Sequence, residues 1–240
     1  MSPAVSSFAD AWAAVADVQG WLTEGQGRAL FEAAAGCPAG GRIVEIGSFQ
    51  GRSTIVLALA AAPSVEVVAI DPHAGNDRGP QEIDGFAEQA ADDNARFEAN
   101  LRSAGVRDRV THLRKFSDDA LGDVAGAIDV LYVDGAHRYG PARADIHQWG
   151  AEVRDGGTLL VHDSFSSVGV TLAILRELVP SRRFRYVGRS RSLAIYRADA
   201  TVHRWPNAAR QLGQLPWFVW NLTKKALITV KVLRRTDWPY

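Results

Sequence analysis

Asp134, His137 and Asp163 each stand at or just after the end of an apolar run, and that placement is the first chemical signal in the chain. The runs are Ile128-Asp129-Val130-Leu131-Tyr132-Val133 and Thr158-Leu159-Leu160-Val161. Short apolar runs rich in β-branched residues and bounded by glycine read as buried parallel strands. Parallel strands bring residues from distant parts of a chain to one carboxyl edge. Two carboxylates meeting there suit a hard divalent cation such as Mg²⁺. A histidine three residues after the first of them, with an ordinary pKa of about 6.5, is fit to take a proton from a hydroxyl at neutral pH. Singly, each residue has a plainer reading: Asp134 as a turn acceptor, His137 as a helix cap, Asp163 as an N-cap. Three at one edge favour chemistry.

A second signal lies on the same edge. The strand Arg42-Ile43-Val44-Glu45-Ile46 runs into Gly47-Ser48-Phe49-Gln50-Gly51, an alanine-rich helix follows from Ser53 to Ala62, and Val67-Val68-Ala69-Ile70 closes on Asp71. That is a βαβ unit, since parallel strands need a crossover. Gly47 and Gly51 can take positive φ and let backbone approach a ligand. The helix that follows offers unpaired N–H groups, and a carboxylate at the end of the second strand can hold ribose hydroxyls. The glycines are four apart, which sets the turn aside from the GxGxxG of dinucleotide folds.

The stretch Val44-Glu45-Ile46-Gly47-Ser48-Phe49-Gln50-Gly51 resembles the first motif of class I S-adenosylmethionine-dependent methyltransferases. The resemblance implies S-adenosylmethionine as cofactor, bound by Glu45, Gly47, Ser48, Gly51, Asp71, Ser117, Asp118 and Asp134. Asp71 would hold the ribose and the Ser117-Asp118 pair would lie at the adenine, although a Ser-Asp pair is also an ordinary N-cap. The segments Tyr132 to Tyr139 and Gly156 to Ser164 are similar to the branch containing metal-dependent macrolide-sugar O-methyltransferases. That similarity implies Asp134 and Asp163 as metal ligands for Mg²⁺ and His137 as the base. The acceptor would be a hydroxyl of a sugar, glycoconjugate or small natural product. Two positions depart from the pattern: His162, where the sugar enzymes carry an acid, and Ser164, where catechol-type relatives carry an amide. A metal-independent methyltransferase in which His137 acts alone is the same-fold alternative. A non-catalytic cofactor-binding or membrane-recruited protein is the alternative from another class.

The rest of the chain must position these groups. It has 240 residues, a net charge of +0 and 47% hydrophobic residues, enough for one well-buried α/β domain with additions. The neutral balance gives no support to nucleic-acid binding driven by charge. A single cysteine, Cys37, excludes an internal disulfide and fits a cytoplasmic protein; no signal peptide or membrane span is read. Residues 1–41 are expected to be a helical cap and 42–198 the cofactor-binding domain. The expected fold is α/β: a Rossmann-like, mostly parallel seven-stranded sheet with helices on both faces and an antiparallel C-terminal hairpin over Phe184–Val187 and Ser192–Tyr196, joined through Gly188 and Arg189. Asp145 and His147 are placed on the polar side of a helix, and His73 and His112 get solvated or structural readings. Residues 199–240 form a basic, aromatic extension with Trp205, Trp217, Trp220, Lys224, Lys225, Lys231, Arg234 and Arg235. Two readings of it stay open: packing on the domain or on a second copy in a homo-oligomer, and contact with an anionic membrane surface as a peripheral protein.

Overall fold

The computed structural model describes residues 7–74, 86–124 and 126–229, without the side chains of 86–91. Residues 75–85 and the basic residues Lys231, Arg234 and Arg235 lie outside them. Five parallel strands, β1 (Arg42–Ile46), β2 (Glu66–Ile70), β3 (Val110–Leu113), β4 (Ile128–Val133) and β5 (Val153–Val161), join a hairpin of β6 (Phe184–Ser190) and β7 (Leu193–Ala198). The order across the seven-stranded sheet is β3-β2-β1-β4-β5-β7-β6, with β7 antiparallel to both β5 and β6. This is the Rossmann-like arrangement expected. The order reverses between β1 and β4, which makes that junction the switch point at which such sheets bind ligands.

The helices are α1 (Phe8–Ala13), α2 (Glu24–Ala35), α3 (Arg52–Ala60), α4 (Phe86–Ser103), α5 (Ser117–Ala120), α6 (Tyr139–Glu152), α7 (Val168–Glu177), α8 (Arg204–Leu212) and α9 (Leu215–Thr229). Strand alternation sorts them into two layers. Ile43, Val67, Tyr132 and Leu160 face a core shared with α1 to α4, built on Leu30, Ile55, Leu57, Phe97 and Leu101. Val44, Ile46, Leu131 and Val133 face the core of α6 and α7, built on Trp149, Phe165 and Ile174. Strands covered on both faces read as unbroken apolar runs, which is why they are so visible in the sequence.

Three local details differ from expectation. The hairpin turns at Arg191-Ser192; Gly188 instead marks a shift of register after Tyr186. The spacing of Phe8, Trp12, Val15 and Val18 predicts one helix from Phe8 to Val18, but helix α1 ends at Ala13, although Val15 and Val18 still bury beside it. Helix α2 begins at a capping box that the sequence reading passed over, in which the Thr23 N–H donates to Gln26 Oε1 at 2.9 Å and the Gln26 N–H donates to Thr23 Oγ1 at 3.4 Å. Cys37 sits just past α2, and burial pushes its thiol up to about 11. The extension packs back on the domain as α8 and α9, with Trp217 and Phe218 against the second core. No helix among the described residues is long and apolar enough to cross a membrane.

Glu45 falls on the α3 side of the sheet, fully buried, and accepts hydrogen bonds from the hydroxyls of Ser53 and Thr54. Burial raises its pKa to about 8, more than those two donors lower it. The folded state therefore holds this proton more tightly than the unfolded chain, and the stability it contributes at low pH is lost as pH climbs from about 4.5 to about 8. Glu45→Gln can still accept from one hydroxyl and donate to the other, and it removes the titration. Thermal unfolding should show the variant gaining on the parent between about pH 5 and about pH 8, and a pH-independent difference would contradict the assignment.

Candidate active site

The groups at the carboxyl edge follow the strand order. After β3 come Phe116, Ser117 and Asp118; after β2, Asp71 and His73; after β1, Gly47, Ser48 and Phe49; after β4, Asp134 and His137. All of these line one cavity of about 280 Å³, closed on another side by Gln19 to Leu22 and Arg52. The N-terminal segment thus forms a wall of the site. Glu45 and Gly51, both expected to touch the cofactor, do not line the cavity. Glu45 holds the first turn of α3, and Gly51 is the N-cap of that helix, where a Cβ would come within 2.7 Å of Leu101 on α4.

Gly47 has φ +85°, and a Cβ there would lie 2.2 Å from the carbonyl oxygen of Asp134. The turn after β1 and the end of β4 are therefore in direct backbone contact, locked by the Asp134 N–H donating to Ile46 O at 2.8 Å. Asp71 fastens the other side of the turn, its Oδ2 accepting from the Phe49 N–H and its Oδ1 from the His73 N–H, each at 2.8 Å. Phe49 and His73 are themselves left-handed, at φ +45° and +47°, a conformation non-glycine residues hold only when surroundings over-determine it. Carboxylate oxygens have lone pairs to spare, so Asp71 can brace the turn and still accept from a ligand.

Ser117 donates to the carboxylate of Asp145, so it does not cap α5, whose N-cap is Phe116. Asp145 is 2% exposed, lines the cavity, and is pushed up to about 6 by burial. Its assignment to the polar face of α6 is corrected. The signal was available: Ala142, Asp145, Ile146 and Trp149 are buried together at helical spacing. His73 is buried as well, its Nε2 3.1 Å from Nε2 of His112. Burial pushes both imidazoles below the ordinary range.

The ends of β4 and β5 carry the densest charge. The His162 N–H donates to Val133 O at 2.9 Å, which extends the strand pairing and brings His162 and Asp163 beside Asp134. His137 Nε2 lies 3.0 Å from Asp163 Oδ2 and 4.0 Å from Asp134 Oδ1. His162 Nδ1 lies 3.1 Å from Asp134 Oδ1 and 3.4 Å from Asp163 Oδ2. All four are ion-pair distances, and among the described residues neither nitrogen of the buried His162 ring has an aligned hydrogen-bond partner. Tyr132 OH donates to Asp134 Oδ2 at 2.9 Å. Burial alone would lower the histidines and raise the acids, but mutual attraction outweighs it: His137 rises to about 9, His162 rises too, Asp134 falls to about 2 and Asp163 falls well below its usual value. The arrangement thus favours the charged form of each of the four groups, carboxylates against imidazoles.

Asp134, His162 and Asp163 offer ligand atoms all within 4.8 Å of one another. Two carboxylates and one imidazole, whose ring has no aligned hydrogen bond among the described residues, fit a divalent cation, one of the first-row type more than Mg²⁺. His162, noted in the sequence only as a departure, belongs to this group. Ser164 does not: it is buried and its Oγ donates to Val161 O at 2.8 Å. Asp163 does not cap α7, whose N-cap is Ser167.

Residues 44–164 match the family described as "Methyltransferase domain". Among solved structures the chain is similar to cofactor-bound Rv0187 from MTB, at 21% identity and a TM-score of 0.57 over 82% of this chain and 90% of that one. It is similar to the O-methyltransferase TomG from Streptomyces achromogenes in complex with SAM, at 21% identity and a TM-score of 0.54 over 81% and 90%. It is also similar to an O-methyltransferase from Bacillus cereus in complex with SAH, at 19% identity and a TM-score of 0.55 over 82% and 93%. At those identities the likeness speaks for the fold. The family match covers the glycine turn, Asp71, Asp134, His137 and Asp163, and the chain belongs to this family as an S-adenosylmethionine-dependent methyltransferase.

Proposed function

We propose that the chain transfers a methyl group from S-adenosylmethionine to a hydroxyl of a sugar, glycoconjugate or other small molecule, at the Asp134, His137, His162 and Asp163 quartet, with a divalent cation. The observation that carries this reading is that quartet, standing next to the glycine turn across the β1 and β4 junction. O-methyltransferases among the structural relatives support it.

In this reading the cofactor lies along the strand ends. Ser117, Asp118 and Asp145 would hold its adenine, Asp71 its ribose, and Gly47, Ser48 and the wall from Gln19 to Leu22 its methionine end. Arg52 belongs to that end and was not singled out from the sequence. Its Nη1 donates to Val18 O at 2.8 Å and its guanidinium lies 4.9 Å over the Trp12 ring, but among the described residues its buried Nε has no hydrogen-bond partner and no carboxylate pairs with it. Ser48 Oγ is likewise buried and unpaired. A carboxylate at the methionine end answers both.

Methyl transfer breaks the sulfonium–carbon bond and forms the carbon–oxygen bond in line, while the acceptor hydroxyl gives up its proton. His137 is placed to take that proton and pass it to solvent. It can do so near neutral pH once the charge of Asp134 and Asp163 is compensated by something other than its own protonation. A cation held by Asp134, His162 and Asp163 would compensate that charge and supply Lewis-acid stabilisation of the developing alkoxide. The remaining catalysis is positioning, for which the fixed β1 and β4 junction is suited. The metal-independent alternative keeps one observation in its favour: His137 and His162 already stand at ion-pair distance from both carboxylates.

Three experiments test the cofactor's placement, the metal and the base. Arg52→Gln should weaken S-adenosylhomocysteine binding about tenfold, the scale of a lost charge-assisted bond, while leaving methylthioadenosine, which lacks the carboxylate, unchanged in calorimetry. Equal losses for both ligands would remove Arg52 from the methionine end. Turnover against a panel of sugar and phenol hydroxyls should fall in excess chelator and return with Mn²⁺ or Mg²⁺. His137→Ala should lower it by about a hundredfold or more. Full activity in chelator would leave the metal-independent reading standing, and full activity of His137→Ala would remove the base.

A further inference from the structure

The segment from Asp163 to Ser167 is held in an unfavourable shape. Asp163 has φ +51° and Phe165 has φ +54°, two left-handed non-glycine residues within three positions, each disfavoured by contact between Cβ and backbone. Such a conformation persists only under outside constraint. Part of the constraint is local: the Ser166 and Ser167 N–H groups donate to Asp163 O at 3.2 and 2.9 Å. Part comes from the hairpin, where Ser192 O accepts from the Ser164 N–H at 2.8 Å, and the Ser192 side chain is gripped in turn by Gln26 Nε2 at 3.0 Å.

The third part comes from α9, more than fifty residues later and outside the stretch that matches the family. Asn221, 1% exposed, donates from Nδ2 to Phe165 O at 3.0 Å, and Lys225 Nζ donates to Ser166 O at 2.9 Å. The helix is anchored independently, by Trp217 and Phe218 on the core and by Arg189, whose guanidinium lies 3.8 Å over the Trp217 ring. Asn221 and Lys225 thus reach successive carbonyls of a loop whose first residue is Asp163.

We propose that α9 is a positioning element of the active site, in which Asn221, aided by Lys225, holds the Asp163 to Ser167 loop so that the Asp163 carboxylate faces Asp134, His137 and His162. The proposal rests on the quartet being the metal and acceptor site. It gives the C-terminal extension a task inside the protein. Asn221 touches no reacting atom; it acts through the backbone of Phe165.

Asn221→Leu keeps the side-chain volume and removes the donor, and Lys225→Met does the same at the second carbonyl. Both variants are compared with the parent in the full-length protein, below their unfolding temperatures, with Mn²⁺ followed by electron paramagnetic resonance and S-adenosylhomocysteine by calorimetry. Asn221→Leu should lose Mn²⁺ affinity by about ten- to a hundredfold, the range for groups that orient a ligand without being one, and keep S-adenosylhomocysteine affinity. Lys225→Met should lose less. Unchanged Mn²⁺ affinity, or equal loss of Mn²⁺ and S-adenosylhomocysteine, overturns the proposal. Should the parent bind no Mn²⁺, the metal reading fails, and the proposal is judged on amide hydrogen exchange: faster exchange confined to Ser164 to Ser167 in Asn221→Leu supports it, and unchanged exchange overturns it.

Discussion

The contact on which the rest of this structure depends is the one between Gly47 and the backbone of Asp134. No side chain fits between them, because a Cβ on Gly47 would lie 2.2 Å from the Asp134 carbonyl oxygen. The turn that follows β1 and the residue that ends β4 are consequently parts of one rigid junction. Asp71 braces that junction from one side through the Phe49 N–H, and the pairing of Asp134 with Ile46 and of His162 with Val133 continues it on the other. A donor bound along β1 and β2 and an acceptor bound at β4 and β5 then share one frame. Methyl transfer asks for little else, since its barrier is lowered chiefly by holding donor and acceptor in line.

Charge at the junction is balanced within the protein. Asp134 and Asp163 would repel if both stood ionised and alone at this burial, and His137 and His162 prevent that by taking protons well above their ordinary range. A divalent cation would do the same work with one charge centre, releasing the histidines to their neutral forms. This exchange links two properties that are otherwise separate: the basicity of His137 and the occupancy of the neighbouring carboxylates. The buried His162 ring, without an aligned hydrogen bond on either nitrogen, is the element most changed by that exchange.

Much of this was legible in the residues. Buried parallel strands announce themselves as apolar runs, so the sheet, the glycine turn and the strand-end positions of Asp71, Asp134, His137 and Asp163 could be read directly. What escaped depends on which way a side chain faces or on partners far along the chain. Glu45 follows Val44 and precedes Ile46, and only the assignment of those two to the α6 and α7 core turns it toward Ser53 and Thr54. Asp145 looked polar by type although its helical spacing is that of Ile146 and Trp149. Arg52 carries no signal of its own at a helix start, and only the folding of Val18 and the wall from Gln19 to Leu22 over it brings it to the cavity. The tail showed composition without direction: tryptophans and lysines suit a membrane surface as well as a protein surface. The contacts of Trp217, Phe218, Asn221 and Lys225 turn that part of the extension inward.

The central claim is that one junction holds the methyl donor and the quartet together. Anomalous diffraction from a crystal grown with Mn²⁺ and S-adenosylhomocysteine tests it most directly. The account predicts a Mn²⁺ peak bonded to Asp134 and Asp163, ribose hydroxyls on Asp71, and the cofactor sulfur turned toward His137. A cofactor bound away from Asp71, or a sulfur facing away from the quartet with no metal peak on its carboxylates, would contradict it.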